Sequence, residues 1–435
     1  IRDFINQILF LPRIRKNPVN KGFNYNLKAL ADDGILVYNN EENEYSFNSV
    51  FIPYLTENFF NLPVSEKDKL LDNITLSLSD TEPEVLMSIF FKAKAFGKII
   101  ELLKENYEYY FRNYLYNTLE HLIQPLKDTF ENNTLLLYLQ IRLNRLTGRL
   151  NNAMNLLSNL SNEQKTDEII LEEGICQAAC GYYSVGIKTL SQLEKENKLN
   201  ITDFLSLINC LGISYMNLHQ LDLARNYFLK AIELKEKVVF LHDILKIYHN
   251  LGLVYTWSGD FNQAISAYQE AIEIAHKLKI LPFAATYNNL AIIHNYQGEF
   301  DKAYQNCLTG LEVVDKINNE SDKIQFYLTL TECYRGLKNA FKVNECIDYL
   351  DNLSEKSLTP IYIALLYKLK SLISLDNNNN NKAREYIFKA MEVRHLGEGD
   401  PKLLEYKIEL ALINYYSQMY DETIKELISI EDGIK

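Results

Sequence analysis

Hydrophobic residues recur along the second half of the chain with a helical spacing that polar breaks interrupt regularly. Three segments align with one another, namely INCLGISYMNLHQLDLARNYFLKAIEL, YHNLGLVYTWSGDFNQAISAYQEAIEI and YNNLAIIHNYQGEFDKAYQNCLTGLEV. In each, apolar residues return every three or four positions on both sides of a short turn, which is typical of two amphipathic helices. The pattern therefore predicts a series of helical hairpins.

A small residue marks the same position in each segment. Gly212, Gly252 and Ala291 follow one another at a nearly constant interval of about 40 residues. We call these residues the anchors, and the interval leads on to three weaker ones, Thr331, Ser371 and Ala411. Two antiparallel helices approach closely only where their crossing carries a small side chain. With two looser copies upstream, the spacing predicts about eight helix pairs over residues 134–435.

These segments resemble tetratricopeptide repeats. The resemblance implies an all-α fold, a right-handed superhelix of helix pairs whose first helices line a concave groove. It implies ligand or partner binding and no catalysis. The interval of about 40 residues exceeds the usual repeat of about 34, so we expect longer helices or connectors. That departure resembles the extended repeats of bacterial sensor and peptide-receptor proteins.

Residues 1–62 follow a different pattern. They predict a helix at 26–33, strands at 35–38 and 44–48, and a following helix, an order that resembles a small winged-helix module. Two interpretations stay open. The module either binds DNA through the basic stretch Arg13-Ile14-Arg15-Lys16 and Lys21, or joins an upstream module to the repeats. Acidic neighbours such as Asp32, Asp33 and Glu41 favour the joining role.

Residues 63–133 predict further helix pairs without the repeat signature, so we divide the chain into domains at 1–62, 63–133 and 134–435. A winged helix, an irregular helical segment and long repeats in this order resemble the region after the ATPase of MalT-like regulators. Those are signal transduction ATPases with numerous domains (STAND). The resemblance implies a nucleotide-binding module before Ile1 and a DNA-binding helix-turn-helix after Lys435.

Composition and charge narrow the function classes. Of the 435 residues, 45 are basic and 57 acidic, a net charge of −12 that argues against nucleic acid as the partner of the whole surface. No stretch is apolar over about 18 residues, so we expect no membrane span. The six cysteines form no CxxC pair, which predicts reduced thiols in a cytoplasmic protein.

Motifs for chemistry are missing from the sequence. It contains no GxxxxGK[ST], GxSxG or HExxH, and its histidines lack metal-ligand spacing with Cys or carboxylates. We therefore expect a non-enzyme with no metal and no cofactor.

The asparagines of the repeats are the candidate binding residues. Asn250 and Asn289 occupy the same repeat offset, and an Asn side chain both donates and accepts, so it can hold the backbone of an extended peptide. The segment YNNLA resembles a motif of peptide-binding tetratricopeptide proteins, in which such asparagines hold the ligand backbone. The competing explanation is the Asn-rich composition of the chain. The full set of candidates is Asn250, Trp257, Asn288, Asn289, Asn295, Tyr296 and Arg335.

Two of these candidates have specific alternatives. Trp257 either packs at the lip of the groove or contacts the ligand. Arg335 lies at a matching offset of the next repeat and is suited to bind a carboxylate.

We therefore expect the sensing arm of a MalT-like STAND regulator, holding a peptide, a protein segment or a small effector in its groove. The alternative is a free-standing scaffold or peptide receptor without an ATPase. A DNA-binding regulator is the weakest of the three hypotheses. Since the chain begins at Ile1 rather than Met, we expect a longer protein, and its upstream sequence would separate the first two hypotheses.

Overall fold

The structure is a computed structural model that describes residues 14–15, 27–33, 35–39, 44–49, 51–77, 83–127, 130, 132–196, 198–235, 241–317, 319–353, 359–394 and 403–434. The chain divides into two compact units, Ile1–Cys180 and Gly181–Lys435. We call them unit 1 and unit 2 and describe each by itself. The three domains predicted from the sequence stay a prediction.

Unit 1 begins with a small antiparallel sheet beside two helices. Its elements are β1 (Ile14–Arg15), α1 (Leu27–Asp32), β2 (Leu36–Asn39), β3 (Glu44–Phe47) and α2 (Ile52–Phe60). The strand order is β1-β3-β2, so the two predicted strands pair as a hairpin. The predicted helix and strands are confirmed, whereas β1 was not predicted as a strand. Of the proposed DNA-binding cations, Arg13, Lys16 and Lys21 lie outside the described residues.

The rest of unit 1 is helical. It contains α3 (Val64–Ser77), α4 (Pro83–Lys92), α5 (Phe96–Arg112), α6 (Tyr116–Lys127), α7 (Thr134–Leu146), α8 (Leu150–Ser158) and α9 (Asp167–Ala179). One hydrophobic cluster runs through these helices from Phe59 to Cys176. The helices on both sides of residue 134 therefore share a core.

Within the described residues, unit 2 consists of one helix followed by six antiparallel helix pairs. Its helices are α10 (Tyr183–Glu196), α11 (Ile201–Asn217), α12 (Leu221–Ile232), α13 (Leu241–Trp257), α14 (Phe261–Lys277), α15 (Ala284–Tyr296), α16 (Phe300–Ile317), α17 (Glu320–Gly336), α18 (Ala340–Asp351), α19 (Pro360–Asp376), α20 (Asn380–Val393), α21 (Leu403–Tyr416) and α22 (Tyr420–Ile434). From α11 onward, odd-numbered helices are the first of each pair. The predicted all-α fold of helix pairs is confirmed.

The anchors lie at the crossings of the helix pairs, as the spacing predicts. A methyl group on Gly212 would come within 2.6 Å of the Phe228 ring, and one on Gly252 within 2.5 Å of the Tyr268 ring. The other four anchors are buried as well, namely Ala291, Thr331, Ser371 and Ala411. The close approach of the paired helices explains why these positions exclude large side chains.

One turn conformation recurs at the hairpins, with a single residue at positive φ. Three successive turns, centred on Tyr114, Gly148 and Gly181, follow one another at the usual interval of about 34 residues. From Gly181 onward the interval lengthens to about 40 residues, at His219, Gly259, Gly298, Lys338, Asn378 and Gln418. Longer helices contribute to the difference, since the first helices α11, α13 and α17 each have 17 residues but the first helices α7 and α9 have 13. This confirms that the longer interval reflects longer helices.

Candidate functional site

On each first helix from α11 onward, the anchor is buried and the residue that follows it in sequence is accessible. We treat these accessible residues as one row. The row consists of Ile213, Leu253, Ile292, Glu332, Leu372 and Leu412, and each of these side chains is partly or fully accessible. We call the surface that this row shares with the neighbouring accessible residues of the same helices the inner face.

Electrostatics links distant first helices across the inner face. Desolvation raises the pKa of the Tyr296 phenol on α15. The negative charges of Glu332 on α17 and of Glu405 and Glu409 on α21 raise this pKa further. Charged groups of α17 and α21 therefore influence the phenol on α15 electrostatically.

Neutral hydrogen bonds join the first helices at the start of unit 2. Asn250 Nδ2 donates to Asn209 Oδ1 at 3.1 Å, which links α13 to α11. His249 Nδ1 lies 2.8 Å from Thr286 Oγ1, which links α13 to α15. Burial lowers the pKa of His249 to about 4, so the imidazole is neutral in this contact. The predicted ligand-binding Asn250 thus also bridges two repeats.

The other three candidate asparagines lie on α15 and differ in accessibility. Asn288 is buried, and its Oδ1 accepts a 2.8 Å hydrogen bond from Thr329 Oγ1 on α17. Asn295 Nδ2 donates to the Thr329 carbonyl at 3.1 Å. Asn289 is partly accessible, and although burial raises the pKa of the Tyr268 hydroxyl, Asn289 lies close enough to lower it in part. Packing therefore occupies Asn288 fully, while Asn289 stays within reach of the inner face.

The two candidate aromatic residues end adjacent first helices and are accessible. Trp257 is 47% exposed, with its ring centroid 5.9 Å from that of His219. Tyr296 is 71% exposed and stacks on Phe261 at 6.1 Å. Each ring is supported from one side and open on the other, which suits a platform for a ligand.

Charged contacts accompany neutral ones toward the end of unit 2, where Gln325 on α17 also donates to the Tyr362 hydroxyl on α19 at 2.8 Å. Arg335 Nε, on α17, lies 2.8 Å from Asp376 Oδ2 on α19. Lys368 Nζ, on α19, lies 3.7 Å from Glu409 Oε1 on α21. The predicted carboxylate-binding Arg335 therefore already has a carboxylate partner.

Unit 1 links its own helices through a cluster of charges that the sequence reasoning missed. Arg145 donates to both oxygens of Glu172 at 2.5 and 3.0 Å, joining α7 to α9. Arg142 Nη1 donates to Glu108 Oε1 at 2.6 Å, joining α7 to α5, and its guanidinium lies 4.4 Å from the centre of the Phe111 ring. The Glu172 side chain is only 3% exposed. Charged residues so far apart in sequence give no local signal of their pairing.

The described residues also bear on metal binding and on membrane insertion. No three His, Cys, Asp or Glu side chains in that part of the chain are placed to hold a metal ion. The described helices include none with both the length and the apolar character needed to cross a membrane.

The comparisons agree with this fold. Residues 203–277 match the family model described as tetratricopeptide repeat. No curated protein matches the chain in sequence. A STAND protein with a tetratricopeptide repeat sensor from Pyrococcus horikoshii has a similar structure, with a TM-score of 0.68 and 16% identity over 89% of this chain. This chain spans 62% of that protein's length.

Two further solved structures are similar over most of their own length. The apo form of the quorum sensor NprR from B. thuringiensis has a TM-score of 0.60 and 14% identity, covering 80% of this chain and 100% of that one. A Rap protein complexed with Competence and Sporulation Factor has a TM-score of 0.58 and 15% identity, covering 78% and 98%. At these identities the likeness establishes the fold, which is of the tetratricopeptide type.

Proposed function

We propose that the inner face of unit 2 binds an extended peptide or protein segment, and that the chain is the sensing arm of a larger signalling protein. The observation that carries the proposal is the pair of accessible aromatic rings, Trp257 and Tyr296, at the same offset of adjacent first helices. Large aromatic side chains left open beside polar groups are typical of binding surfaces.

The asparagines of the same helices supply the polar part of the site. An amide side chain offers two donor hydrogens and one acceptor oxygen. Asn250 uses one donor toward Asn209, which leaves groups for a peptide bond. First helices lie about 10 Å apart, the span of about three extended residues. Asn250 and Asn289 are therefore spaced to hold one short segment from two sides.

The similar proteins support a sensing role. One is a STAND protein with a repeat sensor, one is a quorum sensor, and one was solved in complex with a named factor. By this analogy we propose that the chain belongs to a STAND regulator of the MalT-like kind, acting in the cytoplasm on transcription. A small effector and a free-standing scaffold remain the alternatives, and the reading frame upstream of Ile1 separates the scaffold from the regulator.

The binding proposal is tested with the full chain and a soluble pool of mixed-sequence nonapeptides. Bound peptides are separated by size exclusion and quantified by mass spectrometry. We expect the wild type to retain a defined subset, and the double variant W257A/Y296A to retain about tenfold less of it. N250A and N289A should each weaken retention without changing helical content.

A matched control separates loss of the site from loss of any exposed ring. Phe341 is 70% exposed and belongs to the second helix α18 rather than to a first helix, so F341A should retain peptides as the wild type does. If the wild type retains no peptide, or if F341A loses as much as W257A/Y296A, the proposed function is wrong.

We also propose that this chain is not an enzyme and does not itself bind nucleotide. The sequence lacks the phosphate-binding loop on which an ATPase depends. Titration of the chain with ATP and Mg²⁺ in a calorimeter should give no heat of binding. Micromolar affinity would contradict the proposal.

A further inference from the structure

The row along the inner face contains one chemical exception. Five of its six members are aliphatic, namely Ile213, Leu253, Ile292, Leu372 and Leu412. The sixth is Glu332, on α17, which occupies the same offset after its anchor Thr331. A carboxylate at a position suited to Ile or Leu loses hydration without gaining apolar packing. We therefore expect another interaction to compensate for the lost hydration of the Glu332 carboxylate.

Glu332 lacks a partner of its own among the described residues. Its carboxylate makes no hydrogen bond and has no ion pair within 4.0 Å in that part of the chain, although Lys368 and Arg335 lie near enough to act on it electrostatically. Both bases are engaged elsewhere, Lys368 with Glu409 at 3.7 Å and Arg335 with Asp376 at 2.8 Å. Desolvation is the main cause that raises the pKa of Glu332, and Glu409 adds to it.

Around Glu332 both nearby bases, Lys368 and Arg335, are paired with other carboxylates, which leaves an excess of negative charge beside apolar surface. Glu405 and Glu409 act on the same phenol, that of Tyr296, as Glu332 does. Large aliphatic side chains are exposed on the two first helices that follow α17, with Leu365 at 38% on α19 and Ile408 at 55% on α21. A ligand that matches both features carries a positive charge next to apolar groups.

We propose that Glu332 receives a cationic group of the bound segment, a lysine ammonium, an arginine guanidinium or a free amino terminus, with apolar side chains next to it. This inference rests on the proposed function of the inner face and names the chemistry of its ligand. A charge-assisted hydrogen bond in a desolvated site is strong and directional, so the cation gives the Glu332 carboxylate the partner that the chain lacks.

The test uses the full chain and two mixed-sequence nonapeptide pools, one N-acetylated and one with free amino termini. Peptides retained by the wild type should be enriched about tenfold in Lys or Arg at one position of the acetylated pool. If the amino terminus is the ligand, the free pool should instead be retained about tenfold better. E332Q and E332I should abolish either preference while still retaining peptides.

Two further variants sharpen the result. K368M removes a competing base and should strengthen the preference for cations. E345Q, which neutralises an exposed carboxylate on the second helix α18, should leave the preference unchanged. E332I should also raise the midpoint of thermal unfolding, because an aliphatic side chain fits the row.

The failures of the inference and of the proposed function are distinguishable. Retention of peptides by the wild type without preference for Lys, Arg or a free amino terminus overturns the inference and leaves the function intact. An unchanged preference in E332Q, or a lower unfolding midpoint in E332I, also overturns it. A wild type that retains no peptide from either pool contradicts the function itself.

Discussion

The two units link their successive first helices with different chemistry. In unit 1, charged pairs join α5 to α7 and α7 to α9, and the Glu172 side chain among them is 3% exposed. In the first half of unit 2, amides, two hydroxyls and a neutral imidazole make the corresponding links. A buried ion pair is costly to break because it leaves an uncompensated charge, whereas a neutral hydrogen bond can change partner at small cost. The contrast suits a fixed unit 1 and an adaptable inner face in unit 2.

Breaking the charged link in unit 1 should have the largest effect. E172Q leaves Arg145 buried without its carboxylate, and we expect a loss of about 3–5 kcal/mol in unfolding free energy. Denaturant unfolding followed by circular dichroism measures the loss, and hydrogen exchange should locate it in α7 and α9.

The matched control is E120Q. Glu120 pairs with Arg149, but both side chains are about two-fifths exposed, so its loss should stay below about 1 kcal/mol. Equal losses in E172Q and E120Q would remove the contrast between buried and exposed pairs.

Acid should weaken a neutral link of unit 2 selectively. The folded-state pKa of His249 is lowered to about 4 from the ordinary 6.5. The unfolded chain therefore binds the proton first, so stability falls as the pH drops from about 6.5 toward 4. We expect this residue to account for about 3 kcal/mol over that interval. Unfolding free energies of the wild type and H249N, measured at both pH values, give the difference. An identical slope for the two proteins would contradict the role of His249.

The anchor at the crossing of α13 and α14 can be tested with one methyl group. G252A directs its Cβ into the Tyr268 ring at 2.5 Å, and overpacking of this kind costs about 1–3 kcal/mol. Gly97 on α5 is the matched control, because nothing lies within 4 Å of its added Cβ. G97A should be neutral or slightly stabilising, and thermal unfolding of both variants measures the difference. A neutral G252A would show that the crossing has room to spare.

The smallest expected effect is a gradient within unit 2. Thr331, Ser371 and Thr423 stand where the best repeats carry Gly or Ala, so we expect the last pairs to open more readily than the central ones. Hydrogen exchange should be fastest after about residue 360. Uniform protection from 205 to 435 would exclude such a gradient.

The sequence predicted the helix pairs of unit 2 well because the same residue types return at one offset. Gly212, Gly252 and Ala291 fixed the frame, and the structure buries all three. Less of the site could be predicted. The partners of Asn250 and Asn288 lie on the neighbouring first helix, one whole repeat away, where no local pattern reveals them. Glu332 could have been identified from the sequence by comparing the residues that directly follow the anchors.

Unit 1 was harder to predict for a related physical reason. Arg142 and Arg145 look like solvent-exposed charges of an amphipathic helix until Glu108 and Glu172 come into contact with them. The strand Ile14–Arg15 is short and depends on β3 for its pairing, so its own residues carry little signal.

Because the hairpin turns of unit 2 are equally spaced, its chain can be divided into blocks of equal length. Lys338, Asn378 and Gln418 are the equally spaced turn residues of three successive hairpins, and all have φ between 55° and 60°. Deleting residues 339–378 would connect the turn residue Lys338 directly to Asn379, which precedes α20. Each remaining first helix would still pack beside a first helix of similar length. A gene encoding such a chain can gain or lose whole blocks by recombination, and each change would lengthen or shorten the inner face in register.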